Sequence, residues 1–294
     1  MTSTVSRRSG LAFAGISLLT PLAAQPSASA LLISSGATTD VTCLNGTCKA
    51  TASDAVLNVG ELQTLLASGN VTVTTGSASD DIKVTAALSW AAGSTLALDA
   101  RHSIVIDAPV ADDGPGALSL KTNDGGSRGL LAFGAKGNVT FSGLANSLTI
   151  DGKKYELVDS VASLASAANK NPKGFYALAK SYDAKKDGAY SFSPVSQTFF
   201  GTFEGLGNTI SDLSITNTFP GDTVALFAFS AGTIADFGLI DVKIIGPFGS
   251  TFRSPAAGCW RRRGREQFRD ARRFCLRRDQ RRRFCRHWGG RRRE

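Results

Sequence analysis

Between Val56 and Ile150 the chain is a succession of strand-like segments only three to five residues long, and that brevity restricts what it can fold into more than any other feature. Val71-Thr72-Val73-Thr74 and Ile82-Lys83-Val84-Thr85 alternate apolar and polar residues. Leu96-Ala97-Leu98, Ile104-Val105-Ile106, Leu118-Ser119-Leu120, Val139-Thr140-Phe141 and Leu148-Thr149-Ile150 continue the series. β-Branched residues within the segments and Gly, Asn, Asp or Pro between them are the marks of strands and turns. Helical character is confined to two places. Residues 61–66 can form a turn of helix, and an Ala/Ser-rich stretch over 159–168 opens on Asp159, a good N-cap residue.

Many short strands fit either a sandwich or barrel closed by tight hairpins or a parallel solenoid, in which each strand lies beside its equivalent one coil later. A solenoid carries self-similarity at a fixed period. Thr209-Ile210-Ser211-Asp212-Leu213-Ser214-Ile215 aligns with Thr233-Ile234-Ala235-Asp236-Phe237-Gly238-Leu239 at an offset of 24 residues, and the same offset carries Phe203 onto Phe227. The alignment predicts an all-β, right-handed parallel β-helix. Ile210, Leu213 and Ile215 are expected to lie about 4.8 Å from Ile234, Phe237 and Leu239, one strand spacing away. These six form the expected repeat core, because like stacked on like buries an apolar column that one coil cannot bury alone.

Residues 1–30 have the form of a secretory signal peptide. Arg7 and Arg8 precede an apolar stretch over 11–19, and Ala28-Ser29-Ala30 supplies a small-residue cleavage site. The apolar stretch is shorter than the ~20 residues a membrane span needs, and no transmembrane segment is expected after it. Export places Cys43 and Cys48, which flank Leu44-Asn45-Gly46-Thr47, in an oxidising compartment. A disulfide closing that turn is favoured over half a zinc site, since no second Cys/His pair stands at suitable spacing.

The net charge of +9 belongs to one end of the chain. Residues 253–294 hold 17 Arg and 4 acids, whereas 1–252 hold 16 basic and 20 acidic residues. An Arg-rich arm with interleaved aromatics suits nucleic acid, but an exported β-protein has no use for one, and no specific nucleic acid is expected as a partner. The abrupt appearance of Arg, Cys and Trp after Gly258 is the vocabulary that Gly/Ala-rich coding text gives when read out of frame. The tail is therefore expected to be an out-of-frame, truncated and disordered continuation, leaving the last coil without a cap. The expected organisation is a signal peptide over 1–30, a β-solenoid region over 31–158, a partly helical excursion over 159–198, repeat coils over 199–252 and the tail.

Chemistry is sparse. No Gly-rich phosphate loop is followed by Lys-Ser/Thr, no metal-ligand spacing occurs and no cofactor is expected. His102, the one His before the tail, lacks a recognisable nucleophile elbow. Asp80-Asp81 and Asp112-Asp113 read as solvated turns rather than calcium ligands, because they fit neither EF-hand nor Gly/Asp nonapeptide spacing. Parallel β-helices do host polysaccharide-cleaving enzymes, and stacked Asp212 and Asp236 are the pair such a site could use. Their place in the repeat argues first for a turn role. No catalytic residue is assigned.

The run Phe199-x-Gly201-x-Phe203-x-Gly205-x-Gly207-Asn208-x-Ile210-x-x-Leu213-x-Ile215 resembles the opening signature of GLUG-repeat proteins. Ala225-Leu226-Phe227 resembles their Gly-Leu-Phe step, with Ala in place of Gly. Residues 96–109 resemble filamentous-haemagglutinin-type exoproteins in strand texture, whereas Asn171-Pro172-Lys173-Gly174 only loosely resembles the secretion element of that family. The resemblance implies a secreted or cell-surface, adhesin-like protein without enzymatic activity. Its implied partners are a glycan or protein on a host or bacterial surface and a partner for secretion. The alternatives are a polysaccharide-active enzyme and a basic-tailed binder of nucleic acid or anionic surfaces.

Overall fold

A computed structural model describes residues 29–246 and the backbone of two further strands, Thr251–Ser254 and Gly258–Arg261. The described chain is mostly β, and its strands pair chiefly in parallel. It begins with β1 (Ala30–Ser34), β2 (Val41–Leu44), β3 (Thr47–Ala50), β4 (Val56–Asn58), α1 (Val59–Ser68) and β5 (Val71–Thr74). Three triplets follow: β6 (Asp81–Val84), β7 (Leu88–Trp90) and β8 (Thr95–Asp99); β9 (Ile104–Ile106), β10 (Pro109–Asp112) and β11 (Ala117–Lys121); β12 (Leu131–Phe133), β13 (Asn138–Phe141) and β14 (Ser147–Ile150).

Corresponding members of the triplets pair in parallel. Ile82 lies beside Ile104 and Ile104 beside Leu131. Leu88 lies beside Val110 and Val110 beside Val139. Val71, Leu96, Leu118 and Leu148 make one continuous column, and Val73, Leu98, Leu120 and Ile150 another. The alternation seen in the sequence has a direct cause: inward residues are buried while their neighbours face out. Each buried Leu, Ile or Val contributes about 1.5–3 kcal/mol.

The helix α1 replaces the middle strand ahead of the first triplet. Asn58 caps it, its side chain accepting from the amides of Gly60 and Glu61. Gln63 donates to the Ser89 carbonyl, and the Ser94 hydroxyl donates to the Leu66 carbonyl, fixing α1 beside β7. A helix ~10 Å across occupies about two strand spacings. In the neighbouring sheet the extra space is filled by β1, which sits between β4 and β6. The start of the stack is covered by the chain between β1 and β3. Thr39 bridges Val56 antiparallel and β2 pairs antiparallel with β3. Ser29, within the expected cleavage site, accepts hydrogen bonds from the amides of Asp80 and Asp81 through its carbonyl, and Ala30 pairs with Asp81.

The strand direction then reverses. β14 turns through Asp151 and Gly152, both at positive φ, into β15 (Lys153–Val158), which pairs antiparallel with it. After α2 (Val161–Lys170), capped by a reciprocal pair of Ser160 and Ser163, the chain builds a second parallel set. Its strands are β16 (Phe175–Leu178), β17 (Tyr182–Asp183), β18 (Ala189–Tyr190), β19 (Val195–Phe199), β20 (Thr202–Glu204), β21 (Thr209–Ser211), β22 (Ser214–Thr216), β23 (Phe227–Ser230), β24 (Thr233–Ile240) and β25 (Val242–Ile245). The 159–198 segment therefore contributes β16 to the long sheet, between β15 and β20. Two apolar cores result, one centred on each set. Asn208, fully buried, ties the sets together by donating to the carbonyls of Val139 and Leu178.

The repeat offset expected from the sequence does not hold. Ile210 lies beside Leu239 rather than Ile234, and Ile215 beside Ile244 rather than Leu239. Ile234 itself lies beside Phe203. Each step from strand to stacked strand is thus longer than the sequence likeness suggests. That likeness is local: Asp212 and Asp236 both stand at positive φ between a strand residue and the next apolar position. They turn two different corners. Asp212 has its true counterpart in Asp241, also at positive φ, whereas Asp236 bends β24 on its way from β20 to β21. All six expected repeat-core residues do pack in the second core, with Ile234 and Leu239 half-buried at its margin. The ring of Phe203 touches Phe227 at 5.7 Å between centroids, but Phe227 is in register with Val195.

The last strands of the second set carry a cover, where an uncapped end was expected. β26 (Thr251–Ser254) pairs antiparallel with β25, and β27 (Gly258–Arg261) with β24. The rest of the basic tail and residues 1–28 lie outside the described residues.

Candidate functional site

Residues of the motif over 199–215 are occupied with packing. Phe199, Phe203, Ile210, Leu213 and Ile215 are buried. A Cβ on Gly205 would overlap the Cβ of Phe237 and lie 2.5 Å from the Asp236 carbonyl. Gly207 has φ +76° and faces the Gly137 carbonyl without room for a side chain. Asn171-Pro172-Lys173-Gly174 is a turn after α2, whose Pro172 carbonyl receives the amides of Phe200 and Gly201. Tyr176, buried beneath it, shares its one hydroxyl hydrogen between the carbonyls of Asn171 at 2.7 Å and Ala167 at 3.0 Å, at the end of α2. Cys43 and Cys48 face each other across the β2–β3 hairpin and are joined as a disulfide.

Three side chains of hydrolytic type do meet: His102 Nδ1 lies 2.8 Å from Asp81 Oδ1 and 3.0 Å from Ser103 Oγ. Both partners share one ring nitrogen, whereas a relay needs the carboxylate on one nitrogen and the nucleophile on the other. Ser103 Oγ also accepts from the Leu130 amide, and Asp81 Oδ1 from the Ser103 amide, so the cluster fastens neighbouring turns. Asp80, beside it, takes Ser29 and a long 3.9 Å contact with Arg101.

Asp112 departs from the expected solvated turn. It is fully buried, in register with Trp90 on one side and Phe141 on the other. Asn146 donates to its Oδ2 at 2.8 Å, while Oδ1 finds no hydrogen-bond partner. Burial pushes its carboxyl pKa up, against the pull of Asn146 and of the nearby Gly114 and Gly116 amides.

The surface feature with binding chemistry is an open pocket of about 240 Å³ formed by two adjacent connections, 191–194 and 217–226, and the outer face of β23. Phe192 and Phe229 line it and Phe219 stands against Phe192 outside the lining, and the three expose 58%, 59% and 62% of their surfaces, far more than a packing role requires. The rings of Phe192 and Phe219 are parallel within 5°, with centroids 6.4 Å apart. Buried Asn217 organises the longer connection, accepting from the Phe219 amide and donating to Asp222 Oδ2 at 2.9 Å. Ser193 clasps the two connections, donating to the Thr223 carbonyl and accepting from the Ala225 amide. Sequence reasoning missed this site, although a Phe beside Pro220-Gly221-Asp222 in a polar turn was a signal for it.

No group of three or more His, Cys, Asp or Glu side chains able to hold a metal ion occurs among the described residues, and no helix there is long and apolar enough to cross a membrane. No family model, curated protein or solved structure matches this chain.

Proposed function

We propose that the chain is an exported, adhesin-like binding scaffold of the secreted or cell-surface kind. In this reading each parallel set is a run of right-handed β-helix coils, and the protein acts by presenting a surface rather than by catalysis. The observation that carries it is the cluster of three exposed phenylalanines on connections clasped by Ser193 and Asn217. Exposed aromatic clusters of this kind are binding sites, since leaving such surface in water is unfavourable. The Ser103–His102–Asp81 arrangement and the separate corners of Asp212 and Asp236 weigh against a hydrolytic reading.

The test is binding of the purified chain to intact bacterial and epithelial cells, with and without residues 262–294, a deletion that keeps β26 and β27. The expected result is saturable binding that survives the deletion, with no reducing ends released from a polysaccharide panel. Release of reducing ends that Asp212→Asn or Asp236→Asn abolishes would overturn it, as would salt-sensitive nucleic-acid binding lost with the tail.

A further inference from the structure

We propose that the pocket lined by Phe192 and Phe229 binds a pyranose ring of a neutral glycan. The inference rests on the binding-scaffold reading and names the ligand class of its site. A sugar ring presents an apolar C–H face and a rim of hydroxyls, and the pocket offers the counterpart of each. Phe192 and Phe229 give the apolar walls, and Phe219 stacks against the Phe192 ring and holds its orientation. Ser196, Asp222 and Thr223 supply hydrogen-bonding groups in the same lining. Asn217 holds one oxygen of Asp222, leaving the other to accept from a ligand hydroxyl.

Charge and size narrow the class. The lining holds one carboxylate and no Lys or Arg, which disfavours uronates and sialic acids and fits an uncharged sugar. At about 240 Å³ the pocket is smaller than the ~300–1,000 Å³ that drug-sized ligands occupy, and suits one ring with the rest of the chain lying outside. The site is already ordered. The Ser193 clasp and the Asn217 bonds fix both connections without a ligand, so little freedom is lost on binding.

The experiment is a titration of the full chain, followed by backbone NMR shifts, with cellohexaose, laminarihexaose and polygalacturonate. The expected result is saturable shifts at residues 192–196 and 217–229 with at least one neutral oligosaccharide, at a dissociation constant of about 1 mM, ordinary for so few contacts. Phe192→Ala and Phe229→Ala should each weaken binding at least tenfold, and Asp222→Asn should weaken it less. Leu144→Ala, an exposed apolar residue in another turn, should leave it unchanged. The melting temperature of each variant shows whether it remains folded. Absence of shifts with both neutral sugars at ten times that concentration overturns the proposal, as does stronger binding of polygalacturonate. Concentration-dependent self-association abolished by Phe219→Ala would overturn it in favour of a second copy as the occupant. Cell binding that persists when no sugar binds separates failure of the ligand class from failure of the scaffold reading.

Discussion

Asp112 is a carboxylate held in apolar surroundings. Its buried Oδ1 lacks a partner while Trp90 and Phe141 flank it in register, and its carboxyl is more basic folded than unfolded. The sign follows: folding takes up a proton at this site, so its stabilising contribution is full below the ordinary aspartate range and lost as pH rises through the raised pKa. Asp112→Asn should flatten this part of the pH–stability profile, from the ordinary aspartate range upward. At neutral pH it should raise stability by about 1–3 kcal/mol, the usual cost of an unsatisfied buried group. Thermal melts across that range check it, and an unchanged slope would contradict the assignment. Gly205 is the opposite case, a position with no tolerance. Because a Cβ there would meet Phe237 and the Asp236 carbonyl, Gly205→Ala should cost more than about 3 kcal/mol or prevent folding, measured by urea unfolding.

At the scale of elements, much was legible. Seven strand segments read from the sequence lie in strands apart from Thr85, which follows β6, and the two helical stretches overlap α1 and α2, the second capped by Ser160 rather than Asp159. The reason is physical, since Val71, Val73, Leu96 and Leu98 announce a buried face by their spacing. Strands such as β10 escaped because they open on Pro109 and end on inward-facing Asp112, against the usual preferences. The register was misread because Asp212 and Asp236 turn corners by the same local geometry, and a turn repeats more visibly than a stack. The pocket escaped because most of its lining, Phe192 included, stands on connections, where no periodicity marks it. The Cys43–Cys48 link fastens the hairpin that covers the start of the first set. Replacing both by Ser should cost about 2 kcal/mol, the closure entropy of so small a loop. Hydrogen exchange should rise first at Thr47–Ala50, whereas uniform exchange across the chain would contradict a local role.

For the whole molecule, two parallel sets of opposite strand direction meet at the β14–β15 hairpin, and both exposed ends are covered by antiparallel strands. Antiparallel covers close edges that would otherwise template further pairing. A chain ended at Gly246 should therefore lose both β26 and β27 and aggregate in a concentration-dependent way, while one ended at Arg261 should stay monomeric. Light scattering distinguishes them, and a monodisperse chain ended at Gly246 would show that these strands do not protect the edge.

The architecture of the second set is defined by which of its residues are neighbours. Thr202 lies beside Thr233, whereas the sequence repeat would put Thr209 there instead. In a chain whose Cys259, Cys275 and Cys285 are replaced by Ser, cysteines at 202 and 233 should oxidise to a disulfide detectable by mass spectrometry, since adjacent strands fall within the reach of one. Cysteines at 209 and 233 should not. A link between 209 and 233 with none between 202 and 233 would contradict the register on which the corners, the two cores and the placement of the aromatic pocket all depend.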